Sequence, residues 1–166
     1  YCKKMTYRKL LPELIPPGYR YNEIFQTTYD YLDKYEKEHR GLTSVIHGDP
    51  VFTNILLEKN NCFKFIDMRG KLGDRNTIFG DMFYDYAKVY QSLLGYDFIL
   101  HDKTFNKDYM YKLQKTFAEW IAQNFGLKTF VDISVITNSL LITLLPLHKE
   151  NPEKCNKYFE LISFEH

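Results

Sequence analysis

The sequence predicts a mainly helical α+β domain in which a small β-hairpin lies between helices. Apolar residues recur at helical spacing in five separate segments, whereas residues 42–66 hold short apolar runs divided by turn residues. The chain has 166 residues, of which 45% are hydrophobic and 17% aromatic. This is enough apolar material for one well-buried core, so we expect a single domain.

The helical segments have recognisable starts and stops. The first begins at Asn22, a residue type favoured at the N-cap, and ends before Gly41. Gly126 follows another, and Asn151 with Pro152 begins the last. After the first helix, the predicted helices cover residues 82–94, 106–125, 134–147 and 152–164. Residues 1–21 are basic at first and then rich in proline, which indicates a lead-in arm or linker before a domain at 22–166.

The middle of the chain reads as strand, turn and hairpin. Strand-like runs cover residues 42–46, 54–57 and 62–66, and the turn residues at 59–61 join the last two as a hairpin. Residues 68–81 contain three glycines and five charged side chains. We interpret this stretch as a long ordered loop, a type of segment that often carries function.

Composition disfavours several classes of protein. The formal net charge is +1 and the two signs are interspersed, so we expect no nucleic-acid partner. The three cysteines are far apart and form no CxxC pair, which favours a reducing, cytoplasmic location over a disulfide framework. The apolar run at 131–147 contains several polar residues and is shorter than the ~20 residues of a membrane span. We therefore interpret it as a buried helix and expect no membrane span.

The candidate chemistry lies in and beside the hairpin. Asp49 follows Gly48 at the end of a strand and precedes Pro50, so its carboxylate would be held rigidly. Asn54 lies five residues later, and Asp67 lies thirteen residues after Asn54, at the end of the next strand. A hairpin would bring Asn54 and Asp67 together as oxygen ligands for Mg²⁺. Two such oxygen ligands with a further carboxylate, that of Asp49, nearby are what metal-assisted phosphoryl transfer requires.

These motifs support a resemblance to a known family. HGDPVFTNILL at 47–57, followed by FIDMRG at 65–70, resembles the catalytic loop and metal loop of the aminoglycoside phosphotransferase and choline kinase family. The interval of five residues from Asp49 to Asn54 is also that of the protein-kinase catalytic loop. The resemblance implies the C-terminal lobe of a protein-kinase-like fold. The stretch from 66 to 85 is most similar to phosphotransferase domains of bacterial capsule and lipopolysaccharide pathways.

The same resemblance implies a role for each site residue. Asp49 would accept the proton of the substrate hydroxyl, while Asn54 and Asp67 would hold Mg²⁺ on the phosphates of ATP or GTP. His47 would brace the loop. GDMFYDYAK at 80–88 is similar to a helix start of the family, whose aspartate, here Asp85, would hold the catalytic loop through backbone amides. The implied activity is phosphorylation of a hydroxyl on a small polar metabolite: an amino alcohol, an aminoglycoside-like compound or a sugar.

The chain also departs from the family pattern. Met68-Arg69-Gly70 follows the metal aspartate, and an insert at 71–79 separates it from Gly80. Arg69 is a candidate clamp for a phosphate or an acidic substrate. Only 41 residues precede the catalytic-loop strand, and they contain neither a glycine-rich loop nor a strand-borne lysine for the nucleotide. The N-terminal nucleotide lobe is therefore expected to be absent, unless a longer chain supplies it.

Two other functions compete with this interpretation. The missing nucleotide lobe is compatible with a non-catalytic, pseudokinase-like scaffold or an isolated lobe of a larger protein. A metal-dependent phosphohydrolase using His47, Asp49 and Asp67 is less favoured, because such sites usually gather more histidines.

Overall fold

The structure is a computed structural model that describes residue 15 and residues 21–162. Of the predicted lead-in arm, residues 1–21, only Ile15 and Tyr21 belong to this part. The prediction of a mainly helical α+β fold is confirmed. The six helices of the described residues are α1 Tyr21–Lys37, α2 Met82–Leu93, α3 Tyr96–Leu100, α4 Lys107–Phe125, α5 Leu127–Leu144 and α6 Pro152–Glu160.

Six short strands form three separate antiparallel pairs. They are β1 Thr43–Val45, β2 Ile55–Leu57, β3 Phe63–Phe65, β4 Lys71–Leu72, β5 Arg75–Asn76 and β6 Phe79–Asp81. The predicted hairpin is β2 with β3, in which Ile55 faces Phe65 and Leu57 faces Phe63. The other pairs are β1 with β6 and β4 with β5.

The prediction of a loop at 68–81 is wrong in part, because this stretch holds β4, β5 and β6. The β4–β5 turn uses Gly73, whose φ of 59° is accessible to glycine at little cost. Strand β6 pairs with β1, which lies more than thirty residues earlier in the chain, with Val45 opposite Phe79. A strand of three residues that pairs with such a distant strand has no local sequence pattern from which it could be predicted.

The predicted N-cap at Asn151 is confirmed, and Asn106 caps the helix that was predicted to start there. The predicted N-cap at Asn22 is wrong, because Asn22 lies inside α1. The Asn106 side chain accepts a hydrogen bond from the Tyr109 amide at 3.0 Å, and the Asn151 side chain accepts one from the Lys154 amide at 3.0 Å. These contacts satisfy N–H groups that have no partner within the helix.

Helix α5 starts earlier than predicted. The expected start was residue 134, whereas α5 begins at Leu127, directly after Gly126, and continues into a 3₁₀ turn at Leu145–His148. The charged Asp132 interrupts the apolar pattern, but its carboxylate is buried in an ion pair with Arg40 and accepts a hydrogen bond from the Tyr31 hydroxyl at 2.8 Å. An internal partner therefore allows a charge inside the packed part of the helix. Helix α3 was not predicted, because five residues are too few to show a period.

Helix α5 is the centre of the core. It packs against α1, α2, α4 and α6, and it contributes apolar side chains to both buried clusters of the domain. Leu127–His148 is the one segment of the described residues that is long and apolar enough to cross a membrane, with a mean hydropathy of 1.8. More than half of its most apolar window, 56%, is buried inside the protein.

Asp81 joins three elements around the candidate site. Its carboxylate caps α2 by accepting from the Phe83 amide at 3.0 Å, and it accepts from the Leu42 amide at 3.2 Å. It also accepts a hydrogen bond from the Tyr35 hydroxyl at 2.7 Å. Helix α1, strand β1 and helix α2 are thereby fixed relative to one another, which sets the position of the loop that leaves β1.

Candidate active site

The loop that follows β1 is held by a carboxylate on α2. Asp85 lies in the first turn of α2, and its two oxygens accept hydrogen bonds from the backbone amides of His47 at 2.7 Å and Gly48 at 2.9 Å. Hydrogen bonds to an ionised acceptor are stronger than neutral ones. The backbone-amide contact that the resemblance implies for Asp85 is therefore present in the structure.

The following 3₁₀ turn, Phe52–Asn54, is held by two further acceptors. The Ser92 hydroxyl accepts from the Phe52 amide at 3.0 Å, and Asp97 Oδ1 accepts from the Thr53 amide at 3.1 Å. Asp97 lies on α3 and is only 7% exposed. Three side chains from the α2–α3 region thus fix four backbone amides of the loop that carries the predicted site residues.

Asp97 and Asp49 also influence a nearby tyrosine. Burial raises the pKa of the Tyr96 hydroxyl above its ordinary value, and the negative charges of Asp49 and Asp97 raise this pKa further. Tyr96 therefore stays protonated and neutral beside the two carboxylates.

Asp49 pairs with a lysine that was not predicted as a site residue. The Lys88 ammonium lies 3.0 Å from Asp49 Oδ1, with the lysine side chain 12% exposed and the aspartate side chain 37% exposed. The Asp49 amide donates to His47 Nδ1 at 3.3 Å. The base candidate is thus held through both its backbone and its side chain, while part of the carboxylate remains open to solvent.

Asn54 is oriented by the same loop. Its side-chain Nδ2 donates to the Asp49 carbonyl oxygen at 2.9 Å. This hydrogen bond assigns the amide nitrogen to the loop and leaves Oδ1 as the atom that Asn54 would offer to a cation.

Asp67 and Asn54 meet at the same end of the hairpin. The Ile66 amide donates to the Asn54 carbonyl oxygen at 3.0 Å, so Asp67 directly follows the residue paired with Asn54. Asp67 is exposed and has a φ of 61°, in the left-handed region that aspartate tolerates better than most residues. The hairpin therefore places the backbones of the two predicted magnesium ligands at the same end, one residue apart in register.

The donor set fits Mg²⁺ bound together with a nucleotide. Among the described residues, no three His, Cys, Asp or Glu side chains are grouped as a metal site. Magnesium commonly uses one or two carboxylates, phosphate oxygens and water rather than an all-protein cage. Asp67 and the amide oxygen of Asn54 match that requirement, and Asp49 is the neighbouring carboxylate.

His47 braces the loop from inside. Its Nδ1 accepts from the Asp49 amide, and its ring lies 5.8 Å from the Phe65 ring, centroid to centroid. Within the described residues, its buried Nε2 has no hydrogen-bond partner. Because Nδ1 accepts a backbone hydrogen bond, the proton of a neutral His47 ring lies on Nε2, and neither nitrogen then has a free lone pair for the metal that the hydrolase interpretation requires.

Arg69 crosses over the loop and reaches α2. Its amide donates to the His47 carbonyl oxygen at 3.0 Å, and its guanidinium donates to the Tyr84 hydroxyl at 2.9 Å while lying 5.2 Å from the centre of the Tyr84 ring. Gly48 permits this path, because a Cβ at Gly48 would lie 2.8 Å from Arg69 Cβ. The arginine therefore closes one side of the loop.

Sequence reasoning missed Lys88, Ser92 and Asp97. A signal existed for two of them, because Lys88 and Ser92 follow Asp85 by three and seven residues and so lie on the same face of one helix. Asp97 contacts Thr53, which lies 44 residues earlier in the sequence, and no local sequence pattern predicts so distant a contact.

Comparison of the chain with profiles of known protein families, with curated proteins and with solved structures finds no match.

Proposed function

We propose that this chain is the catalytic lobe of a protein-kinase-like phosphotransferase of the aminoglycoside phosphotransferase and choline kinase type. It would transfer the terminal phosphoryl group of ATP or GTP to a hydroxyl of a small polar metabolite. The observation that carries the proposal is the proximity of three residues along the backbone: the Asn54 side chain donates to the Asp49 carbonyl oxygen, and the hairpin places Asp67 one residue after the partner of Asn54.

The roles of the three residues follow from their chemistry. Asp49 would take the proton of the acceptor hydroxyl as the acceptor oxygen forms a bond to the γ-phosphorus. The bond between that phosphorus and the β,γ-bridging oxygen breaks, and the nucleoside diphosphate leaves. Asn54 Oδ1 and the Asp67 carboxylate would hold Mg²⁺, which when bound neutralises negative charge on the phosphates. His47 and Asp85 keep the loop in place and contact no reactant.

An exposed apolar surface supports the idea that a second lobe completes the site. Among the described residues, eleven of the seventeen exposed large apolar side chains lie between residues 42 and 79. Leu57, Phe63 and Phe65 share one face of the hairpin and are 63%, 65% and 58% exposed. Contiguous apolar patches on soluble domains mark interaction sites. We place the nucleotide-clamping lobe of a longer chain against this surface.

The remaining partners and location follow from this assignment. The acceptor would be a small molecule, with no nucleic-acid partner, and the protein would act in the cytoplasm. Helix α5 would serve as a core helix rather than a membrane span, consistent with its packing against four other helices.

Phosphoryl transfer tests the proposal directly. The full-length protein that contains this chain would be supplied with Mg²⁺ and ATP or GTP and assayed on a panel of amino alcohols, aminoglycosides and sugars, with product detected by mass spectrometry. We expect transfer to at least one class, and loss of transfer in Asp49→Asn with nucleotide binding retained. Asp74→Asn, an exposed aspartate in the β4–β5 turn, is the matched control. No transfer to any member of the panel would refute the proposal.

A non-catalytic scaffold is the second candidate, and the same apolar surface favours it. Calorimetry separates the two functions. Nucleotide binding that requires Mg²⁺ and disappears in Asp67→Ala supports the enzyme. A stable fold that binds neither metal nor nucleotide supports the scaffold.

A further inference from the structure

Lys88 is mostly buried and forms an ion pair with Asp49, the candidate base. Its ammonium lies 3.0 Å from Asp49 Oδ1, and its side chain is 12% exposed. Within the described residues, Asp49 is the ionic partner of Lys88. By contrast, the lysines of the i,i+4 pairs on α1 and α4 are well exposed, with Lys34 at 70% and Lys115 at 67%. Such surface pairs contribute little to stability, whereas a mostly buried ammonium is retained only where its charge is compensated.

The position of Lys88 follows from the helix that also holds the loop. Lys88 lies three residues after Asp85, so both side chains lie on the same face of α2. Asp85 fixes the backbone amides of His47 and Gly48, and Lys88 reaches the carboxylate of the next residue, Asp49. One helix face therefore controls both the backbone and the side chain of the loop.

We propose that Lys88 is a positioning residue for the Asp49 base: it engages Oδ1 and so directs Oδ2 toward the acceptor hydroxyl. This inference rests on the proposed phosphotransferase function and deepens it. An aspartate carboxylate on a flexible side chain has two equivalent oxygens and several rotamers, and proton transfer requires one oxygen within hydrogen-bond reach of the hydroxyl. An ammonium fixed at Oδ1 removes the alternatives before substrate arrives, which is the gain expected of a preorganised site.

The proposal predicts a defined kinetic pattern. Lys88→Met should lower kcat by about 30- to 300-fold, around the low end of the roughly 10²- to 10⁴-fold that a general base contributes, and leave KM for the nucleotide within about threefold. Lys88→Arg keeps a cation at this position and should recover kcat to within about tenfold of wild type. Lys115→Met is the matched control, because it removes an exposed lysine from a helix and should leave kcat unchanged.

A double variant distinguishes positioning from a general effect on the protein. If Lys88 acts through Asp49, then Asp49→Asn combined with Lys88→Met should be no slower than Asp49→Asn alone. In the absence of nucleotide, the free energies of unfolding of the same four proteins should show a coupling between the two positions. Should Lys88→Met fail to fold, Lys88→Gln, which keeps a hydrogen-bond donor without the charge, takes its place in every comparison.

The outcomes separate this inference from the function on which it rests. Wild-type kcat in the uncharged Lys88 variants, a loss confined to KM, or a loss that adds fully to that of Asp49→Asn would overturn the positioning role and leave the phosphotransferase intact. A wild-type protein that transfers phosphate to no acceptor would overturn both.

Discussion

The carboxylate of Asp85 lies 2.9 Å from the backbone nitrogen of Gly48, and this contact ties the first turn of α2 to the loop that carries Asp49. The second oxygen of Asp85 accepts from the amide of His47, so one side chain satisfies two consecutive backbone donors. Both amides belong to a partly buried turn, where an unpaired N–H group is costly.

Asp85→Asn should therefore loosen the loop more than it disturbs the helix. The amide has one acceptor oxygen in place of two, and its NH₂ group faces a backbone donor, so we expect a loss of about 1–3 kcal/mol in the free energy of unfolding. Urea denaturation followed by circular dichroism measures the loss. Asp108→Asn, which removes a charge from the first turn of α4, controls for the helix dipole and should cost less than about 1 kcal/mol. Equal losses in the two variants would contradict a special role for Asp85.

Gly48→Ala should destabilise the protein for two separate reasons. The φ of Gly48 is 84°, which L-residues rarely adopt, and the new Cβ would lie 2.8 Å from Arg69 Cβ. We expect a loss of about 2–4 kcal/mol, taking strain and crowding together. Gly73→Ala shares the positive φ, at 59°, but has open space around it, so it should lose only about 1 kcal/mol. The difference between the two losses isolates the contact with Arg69, and it should shrink in an Arg69→Gly background.

The buried ion pair between Arg40 and Asp132 should be more sensitive than any surface pair. The two side chains are 11% and 4% exposed, and the Arg40 guanidinium also lies over the rings of Tyr31 and Tyr35. Without Asp132, the Arg40 guanidinium keeps only the more exposed Glu38 carboxylate, 3.3 Å from Arg40 Nε, as an ionic partner among the described residues. Asp132→Ala should therefore cost about 3 kcal/mol, the low end for breaking a buried pair. Glu119→Ala breaks an exposed pair with Lys115 and should change the free energy of unfolding by less than about 1 kcal/mol. Denaturant titration of both variants measures their free energies of unfolding. A small loss of this free energy in Asp132→Ala would show that the buried pair contributes little to stability.

His148 should make the protein less stable in mild acid. Burial lowers the pKa of His148 below its ordinary value, and the positive charge of Lys154 lowers it further. The unfolded chain then binds the proton at a higher pH than the folded chain does. The neutral His148 side chain therefore makes its full contribution to stability above about pH 6.5, the ordinary pKa of histidine. This contribution is lost as the pH falls below that value.

The free energy of unfolding, measured between pH 5 and 8, tests this pH dependence. The wild-type protein should lose stability on acidification more steeply than His148→Gln, and Lys154→Met should fall between the two because it removes one of the two causes. Parallel curves for the wild type and His148→Gln would contradict the shift.

The sequence predicted the local arrangement of the candidate residues better than the packing around them. The sequence could single out Asp49, Asn54 and Asp67 because they lie in or beside one β-hairpin. In a hairpin, the hydrogen bonds between two strands that are adjacent in sequence determine which residues meet. Lys88 was overlooked because its partner lies 39 residues away, on another element. Pairing of β1 with β6 and the existence of α3 depend on tertiary contacts, which override the weak preferences of three to five residues. The start of α5 was misplaced because a buried Asp132 looks like a boundary until Arg40 is seen beside it.

The shared face of α2 limits which insertions and deletions the protein can accept during evolution. Asp85, Lys88 and Ser92 each contact a different part of the loop at 47–54, and all three depend on one helical register. Inserting or deleting one residue between Asp85 and Ser92 would rotate the later side chains by about 100° and detach them together. We therefore expect homologues of this chain, however divergent elsewhere, to keep the intervals of three and four residues that separate these positions, so that indels in this stretch are selected against while those in the β4–β5 turn are tolerated.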